Sequence, residues 1–451
     1  MVGKGPIPQP PLPALPIADD AEVTAPPAAS KRQRLATLLE GELDFHGADS
    51  GYASHDLHAF AAKFPPQLPG LFIRGLTNPG DVVLDPMMGS GTTILEALLQ
   101  GRLAIGLDID PLALRLSRTK TTPVDAALVQ EAAAQVLARA AALLFDSRTL
   151  EESLARRFDA ETQDFIDYWF LPRTQRELMA LVLAIQEIVD LSVRRFLELT
   201  FSSIIITKSG GVSRARDLAH SRPHRDENKV PRSALEQFAL RLRRNLAGVV
   251  QLPVGSGTLA TCLAGDARRL PLADSSVDLV VTSPPYANAI DYMRAHKFGL
   301  VWLGLPLGKL SNWRSRYIGS ERVSKADLVP LPDQAMAVVQ DLASRDPRRA
   351  MLLHRYFGEM RAVLGEIYRV LRGDTAAILV VGSSLMRGID VQTHRCLAEI
   401  AASLGFDVVR IARRGLDRNR RMMPARFSPD RDSPIEQRIH EEYVIGLWKP
   451  A

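Results

Sequence analysis

Short apolar runs that end in polar residues alternate with helical periodicity early in the chain. The runs "DVVLDP" (81–86) and "LAIGLDID" (103–110) predict two short buried strands. Between them, "TILEALLQ" (93–100) has helical spacing and stops at Gly101. Pro111 then opens a second helical segment, at a position where proline suits the first turn. This alternation predicts the βαβ units of a parallel sheet.

The periodicity changes further along the chain. From about 123 to 252 it indicates helices, interrupted by a polar, basic loop near 208–232. Strands are predicted again at "TLATCLAGD" (258–266), "VDLVVTS" (277–283) and "TAAILVVGSS" (375–384), with a helix at 356–371 and a closing antiparallel pair at "FDVVRIARR" and "EEYVIGLWKP". The predicted fold is α/β and doubly wound, a Rossmann-like, seven-stranded, mostly parallel sheet with a helical insertion.

Composition narrows the class of protein. The 451 residues are 46% hydrophobic and 24% charged, with a formal charge of +5, which suits a globular chain and is compatible with a nucleic-acid partner. The Pro- and Ala-rich residues 1–34 are predicted to be disordered. Two cysteines, Cys262 and Cys396, exclude a disulfide scaffold or a cysteine-rich zinc site. No apolar run is long enough to span a membrane and no signal core is present, so we expect a cytoplasmic protein.

The segment "LDPMMGSGTT" predicts a ligand-binding turn. Asp85 ends a strand, Gly89 and Gly91 let a ligand approach the backbone, and the helix that follows favours an anionic group. Ile94 replaces the third glycine of a dinucleotide fingerprint, and no Gly-Lys-Ser/Thr follows, so neither that site nor a P-loop is expected. A ligand with a ribose but no pyrophosphate, such as S-adenosylmethionine, fits better.

Two further acids lie at predicted strand ends. Asp108 can accept hydrogen bonds from both ribose hydroxyls, and Asp266 in "AGDARRLP" ends a later strand. The alternative is a plain strand-to-helix turn at Gly89–Gly91. That alternative is disfavoured because three carboxylates accompany the turn.

The segments "DPMMGSGTT" and "TSPPY" together resemble the DNA amino-methyltransferases, which methylate exocyclic amines of cytosine or adenine. The segment "AKFPPQLPGLFI" (61–73) is similar to the donor-side segment of that family. The resemblance implies S-adenosyl-L-methionine as the cofactor and residues 35–122 as the donor-binding part of the domain. The implied donor-binding residues are Lys63, Phe64, Pro65, Asp85, Pro86, Met87, Gly89, Gly91, Thr92, Asp108 and Asp266. Met87 departs from the phenylalanine common in the family, but its side chain can still pack against an adenine.

Within residues 253–451, the implied catalytic part, the loop Ser283, Pro284, Pro285 and Tyr286 should follow a strand end, since proline cannot join a ladder. The Ser283 hydroxyl and the Pro284 carbonyl can accept hydrogen bonds from an amine. Tyr286 offers a flat face to an extruded base. The alternative is a proline turn with a packed tyrosine.

The type of base is narrowed but not decided by the sequence. Attack at cytosine C5 needs a cysteine nucleophile, which lies within a Pro-Cys pair in the C5 family. Neither cysteine here follows a proline, so methylation at C5 is excluded. The serine form of the loop resembles cytosine-N4 enzymes. We therefore expect a site-specific DNA (cytosine-N4) methyltransferase acting on double-stranded DNA, with a cognate restriction endonuclease as a candidate partner. Adenine-N6 DNA or RNA amine methylation, or a catalytically silent nucleic-acid-binding protein, remain open.

Three basic segments are candidates for nucleic-acid binding, and a solvated basic face is the alternative for each. The first lies in the insertion (123–252), where 208–244 has ten basic residues against four acidic ones; the second is 410–426, and the third is 310–325, where aromatic rings lie among arginines. The candidate contacts are Arg214, Arg216, Arg222, Trp313, Arg314, Arg418, Arg420 and Arg421.

Other polar and aromatic side chains lie near the motifs in the chain. Asn288, Asp291, Tyr292 and His296 are expected to shape the base pocket. His55 and His58 have no metal-ligand spacing, and no metal site is predicted.

Overall fold

The computed structural model describes residues 29–60, 63–207, 211–216, 223–249, 252, 259–287, 291–320, 328–382, 384–416 and 441–451. The helices are α1 Lys31–Glu40, α2 Gln67–Leu76, α3 Thr92–Leu99, α4 Pro111–Thr121, α5 Ala126–Leu143, α6 Ser147–Arg157, α7 Ala160–Trp169, α8 Pro172–Gln186, α9 Leu191–Ile205, α10 Ala234–Val249, α11 Met293–Trp302, α12 Leu307–Arg314, α13 Asp333–Arg345, α14 Pro347–Val370 and α15 Thr393–Ser403. The strands are β1 Val82–Asp85, β2 Leu103–Asp108, β3 Ala215–Arg216, β4 His224–Arg225, β5 Ala260–Ala264, β6 Val277–Thr282, β7 Leu371–Gly382, β8 Leu385–Met386, β9 Ile389–Asp390, β10 Asp407–Gly415 and β11 Glu441–Lys449.

One seven-stranded sheet organises the chain, in the order β10-β11-β7-β6-β1-β2-β5. The strands from β5 to β7 pair in parallel, and β11 runs antiparallel to both β7 and β10. The predicted doubly wound, mostly parallel sheet with an antiparallel closing pair is therefore confirmed. The chain order reverses between β1 and β6, so the carboxyl ends of these two strands border the crevice in which such sheets bind ligands.

The insertion is helical, as predicted, and it shares a core with the sheet domain. Helices α5 to α10 bury apolar side chains together with α4 and α11, and Phe298 and Trp302 of α11 are fully buried there. The predicted basic loop contains the short pair β3 and β4. Because α11 follows the Ser-Pro-Pro-Tyr segment in the chain, the insertion packs directly against the helix next to the candidate catalytic loop.

The N-terminal boundary predicted at residue 34 is wrong, because Lys31–Arg34 form the first turn of α1. Ser30 caps this helix: its hydroxyl accepts from the Gln33 amide at 3.2 Å, and its amide donates to the Gln33 side chain at 2.8 Å. Leu35 and Leu39 of α1 are buried in the core. Residues 1–28 of the predicted tail lie outside the described residues.

Other element boundaries also differ from the sequence prediction. Helix α14 begins at Pro347, capped by Asp346, and is longer than predicted; β7 begins at Leu371. At the edge of the sheet, the Arg118 guanidinium donates two hydrogen bonds, of 3.1 and 2.9 Å, to the carbonyl of Cys262 in β5.

No single helix in the described part of the chain is long and apolar enough to cross a membrane; the pair α5 and α6, bent by 104°, passes by length and composition only.

Candidate functional site

The glycine segment after β1 forms a tight turn that only glycine fits. Gly89 and Gly91 have φ values of +47° and +74°, and a Cβ atom on Gly91 would lie 2.6 Å from the Ser117 hydroxyl. That hydroxyl donates to the Gly89 carbonyl at 3.1 Å. Gly91 is the N-cap of α3 and supplies no side-chain cap, so the first amides of α3 keep their ability to bind a ligand.

Asp108 at the end of β2 is joined to the glycine turn. Its carboxylate accepts from the Gly89 amide and from the Asp110 amide, each at 2.8 Å. Burial, reinforced by the neighbouring Asp110 charge, raises the pKa of Asp108 to about 7. The side chain is only half-buried, so a hydroxyl donor can still approach it. This position suits the predicted ribose contact, which stays a prediction.

Asp85 at the end of β1 is turned toward the catalytic loop. Its Oδ1 atom accepts from the Thr282 hydroxyl at 2.7 Å and from the Met87 amide at 3.2 Å. Burial raises the pKa of Asp85 to about 6. The structure thus joins the two motifs through Asp85, and the predicted contact of this residue with the donor stays a prediction.

Asp266 after β5 is held by an arginine that the sequence analysis did not single out. The Arg268 guanidinium donates to both carboxylate oxygens, at 2.9 and 2.6 Å, and also reaches Glu359 at 2.7 Å. Burial alone would raise the pKa of Asp266, but the hydrogen bonds and charge of Arg268 lower it below its ordinary value. The acid is therefore ionised and already paired, and its contact with a donor adenine stays a prediction.

Ser283 follows β6 directly and lies beside Asp85. Its side chain is half-buried, and the hydroxyl makes no hydrogen bond with another residue that the structure describes. Pro284 is buried, and the Thr93 hydroxyl of α3 donates to the Val281 carbonyl at 3.1 Å, which joins the donor-side helix to β6. Within the described residues, the Ser283 hydroxyl is thus free to accept a hydrogen bond from a substrate.

Tyr286 is more enclosed than a base-stacking face would suggest. The residue is 8% exposed, and its hydroxyl donates to Glu442 at 2.6 Å. Its ring packs on Gly382, where a Cβ atom would lie 2.7 Å from the ring. The stacking role stays a prediction, and only a small part of the ring is open to a base in this structure. Glu442 carries no signal in the sequence, because it is distant from Tyr286 in the chain and reaches it only through sheet pairing.

An aromatic cluster lies over the glycine turn. Phe60 packs on Gly89, stacks with Tyr292 at a ring separation of 5.8 Å and lies 5.0 Å from the His296 ring. His296 pairs with Asp110 at 2.8 Å. Tyr292 and His296 therefore lie beside the donor turn, while Asn288 lies outside the described residues. Phe60 was missed because it precedes the segment that carries the resemblance.

The Asp110 carboxylate bonds to several side chains around this cluster. It caps α4 and accepts from the Tyr317 hydroxyl at 2.7 Å, in addition to its pair with His296. Burial alone would raise the pKa of Asp110, but the charge and hydrogen bond of His296 and the Tyr317 hydroxyl lower it. Asp291 instead pairs with Arg294 at 2.9 Å and with Arg314 at 2.7 Å.

The segment upstream of α2 is anchored mainly by buried polar contacts. The Lys63 ammonium donates to the His55 carbonyl at 3.0 Å, and Phe64 and Pro65 are buried. The His55 ring pairs with Glu96 at 2.9 Å, and His58 contacts the Ser202 hydroxyl at 3.0 Å, so both histidines have structural partners. Within the described residues, no group of His, Cys, Asp and Glu could hold a metal ion.

The structure describes four of the eight predicted nucleic-acid contacts. Trp313 and Arg314 belong to α12; Trp313 packs against the core of the insertion but stays partly exposed, and its nucleic-acid contact stays a prediction. Arg214 donates to the Glu227 carbonyl at 3.3 Å, and Arg216 pairs with Asp226 at 3.1 Å. The others, Arg222, Arg418, Arg420 and Arg421, lie outside the described residues.

Comparison with known proteins adds to this geometry. The family model described as DNA methylase, of the N6/N4 type, matches residues 40–118, which hold the glycine turn and Asp108. The chain is 24% identical to the Type II methyltransferase M.MvaI of Kocuria varians, over 79% of this chain and 83% of that protein. It is 23% identical to the Type II methyltransferase M.BsoBI of Geobacillus stearothermophilus, over 57% of this chain and 53% of that protein.

A solved structure is similar over a smaller part of the chain. TTHA0409 of Thermus thermophilus, in complex with S-adenosyl-L-methionine, is 19% identical, covers 42% of this chain and 54% of its own, and has a TM-score of 0.22. A score this low carries no argument, and the fold follows from the strand order above. Together, the family match and the Type II relatives support a DNA amino-methyltransferase family for this chain, with an N6/N4 methylase segment at residues 40–118.

Proposed function

We propose that the chain methylates the N4 amine of a cytosine extruded from double-stranded DNA, with S-adenosyl-L-methionine as the methyl donor. The observation that carries this proposal is the juxtaposition of Asp85 and Thr282, which brings the glycine turn beside Ser283. Both motifs of the resemblance thus lie side by side at the crevice, and the Ser283 hydroxyl has no hydrogen-bond partner among the residues that the structure describes.

The residues around the glycine turn fit the donor. Gly89 and Gly91 leave the backbone open where a Cβ atom would intrude, and the half-buried Asp108 offers an acceptor for ribose hydroxyls. The uncapped start of α3 suits the donor carboxylate. When bound, the donor supplies an electrophilic methyl group on its sulfonium.

The catalytic loop prepares the amine for attack. An exocyclic amine is a weak nucleophile because its lone pair is delocalised into the ring. The Ser283 hydroxyl oxygen and the Pro284 carbonyl can accept its two N–H groups and favour a tetrahedral nitrogen. The new N–C bond forms as the C–S bond breaks, and the amine then loses a proton. Since Pro284 and Pro285 fix the loop, little reorganisation is needed in the transition state.

Cytosine N4 is favoured by the serine in this loop, which resembles the cytosine-N4 form. The Type II relatives support a role in restriction and modification, with a cognate endonuclease as partner. Modified-base detection in DNA and RNA from a host that expresses the chain decides the atom. N4-methylcytosine at a defined site is the expected result, and N6-methyladenine or methylated RNA would contradict it.

The catalytic role is tested by Ser283→Ala with Ser344→Ala as the control. Ser344 is exposed on α13, and its hydroxyl donates only within that helix. Ser283→Ala should lower the single-turnover rate on the order of 10²–10³-fold, as for other preorganised hydrogen-bond groups, with donor and DNA affinity little changed. A normal rate in Ser283→Ala would remove the acceptor role. Donor binding by the wild type without transfer to any base would indicate a silent nucleic-acid-binding protein.

A further inference from the structure

Three residues form one row across the antiparallel edge of the sheet. Gly382 of β7 is the register partner of Glu442 in β11, and Glu442 is the register partner of Arg414 in β10. Tyr286 lies along this row, with its ring on Gly382 and its hydroxyl on Glu442. Glycine at 382 leaves the space that the ring occupies.

The two oxygens of Glu442 serve two different partners. Oε1 accepts from the Tyr286 hydroxyl at 2.6 Å, and Oε2 accepts from Arg414 at 2.9 Å. The side chains of Glu442 and Arg414 are only 11% and 2% exposed. Burying such an ion pair has a large desolvation cost, so a gain in stability does not by itself explain why the pair is present.

Further contacts hold Arg414 in place. Its guanidinium also reaches the Asp44 carbonyl at 3.4 Å, and the Gly415 amide donates to the Asp44 carboxylate at 2.6 Å. Because Arg414 is tied to the segment after α1, it cannot follow Glu442 if that carboxylate moves. The tyrosine hydroxyl therefore bonds to an acceptor with a fixed position.

The adjacent pair on the same strands differs in its surroundings. Arg413 and Glu441 form an ion pair at 2.9 Å, but their side chains are 69% and 39% exposed. Successive side chains alternate between the faces of a sheet, so only one of each tandem pair points toward Tyr286. Arg413 and Glu441 thus form a matched control on the same two strands.

We propose that Glu442, supported by Arg414, is a positioning residue that holds the ring of Tyr286 in the catalytic loop through its hydroxyl. This inference rests on the proposed function, because the ring matters only if a base is presented to Ser283. A ring anchored at its hydroxyl end and seated on Gly382 cannot swing away from the loop. The base is then held in one place relative to Ser283. This positioning affects the rate of methyl transfer more than it affects donor binding.

The test uses Tyr286→Phe, which removes the hydroxyl and keeps the ring, and Glu442→Gln, in the full-length protein. Each change should lower the single-turnover rate by about tenfold or more, as expected for a lost hydrogen bond to a charged group. Donor affinity should stay unchanged. The double variant should be no slower than the slower single variant, because both changes break one contact. Glu441→Gln should keep the wild-type rate.

The outcomes separate the two proposals. Absence of methyl transfer by the wild type would overturn the proposed function. Transfer by the wild type with an unchanged rate in Tyr286→Phe would overturn the positioning role alone, as would rate effects that multiply in the double variant. If Glu442→Gln fails to fold, Tyr286→Phe still decides, because its burial and ring packing are preserved.

Discussion

The Thr282 hydroxyl donates a 2.7 Å hydrogen bond to the buried carboxylate of Asp85, so the last residue of β6 is tied to the last residue of β1. These strands are direct neighbours in the sheet. Ser283 follows Thr282 directly in the chain, so the catalytic loop begins at a residue that is bonded to the end of β1, next to the glycine turn. This contact fixes the distance between donor side and catalytic loop before any ligand binds.

The raised pKa of Asp85 predicts a pH-dependent stability. The folded pKa is about 6 against an ordinary 3.8, so the folded state holds the proton more tightly, and stability falls as pH rises from about 4 to about 6. Asp85→Asn keeps the acceptor and removes the charge. Its stability relative to the wild type should rise over this window, by about 3 kcal/mol at most. Denaturant unfolding at several pH values measures this, with the exposed Asp164→Asn as control. Parallel curves for wild type and Asp85→Asn would contradict it.

Alanine variants at Gly91 and Gly80 distinguish backbone strain from steric crowding. Both have positive φ, +74° and +89°, but a Cβ atom on Gly80 meets nothing within 4 Å, whereas one on Gly91 meets Ser117. Gly80→Ala should cost only the backbone strain, roughly 1 kcal/mol. Gly91→Ala should cost more in thermal unfolding and should also weaken donor binding in calorimetry. Equal losses in both variants, with donor affinity intact in Gly91→Ala, would show that the turn does not bind the donor.

Two truncations test the corrected N-terminal boundary. Removal of residues 1–28 should leave activity and melting temperature nearly unchanged, since that segment lacks the apolar periodicity needed to join the core. Removal of residues 1–34 also deletes the Ser30 cap and the first turn of α1. The cap alone should be worth about 0.5–2 kcal/mol in denaturant unfolding. Equal stability of the two truncated proteins would show that the cap contributes nothing.

The arginines of the second basic segment (410–426) are predicted to differ in their contribution to DNA binding. Arg410 and Arg413 already pair with Glu40 and Glu441. Replacing Arg418, Arg420 and Arg421 by glutamine should weaken DNA binding regardless of sequence. The slope of log affinity against log salt concentration should flatten by roughly 0.9 per lost phosphate contact. Glutamine at 410 and 413 serves as the control, and an unaltered slope in the triple variant would identify a solvated surface.

The sequence predicted the features that are determined by residues close together in the chain. Each strand of the main sheet has a short apolar run with a polar end, and the glycine turn carries its conformation in its own residues. Glu442 could not be found this way, because its contact with Tyr286 arises from register between β7 and β11. The packing of Trp313 against the insertion core was not evident either, because arginines around an aromatic ring occur in packed helices as well as in nucleic-acid contacts.

The Arg118 contact at the edge of the sheet has a consequence for how copies of the chain meet. An outer strand with unpaired backbone groups is a template on which another molecule can add a strand. At β5, the Cys262 carbonyl is already occupied by the Arg118 guanidinium through two hydrogen bonds. A second chain would have to displace that guanidinium to continue the sheet. The Arg118 side chain therefore opposes the addition of a strand at β5, which is one of the two outer strands of the sheet.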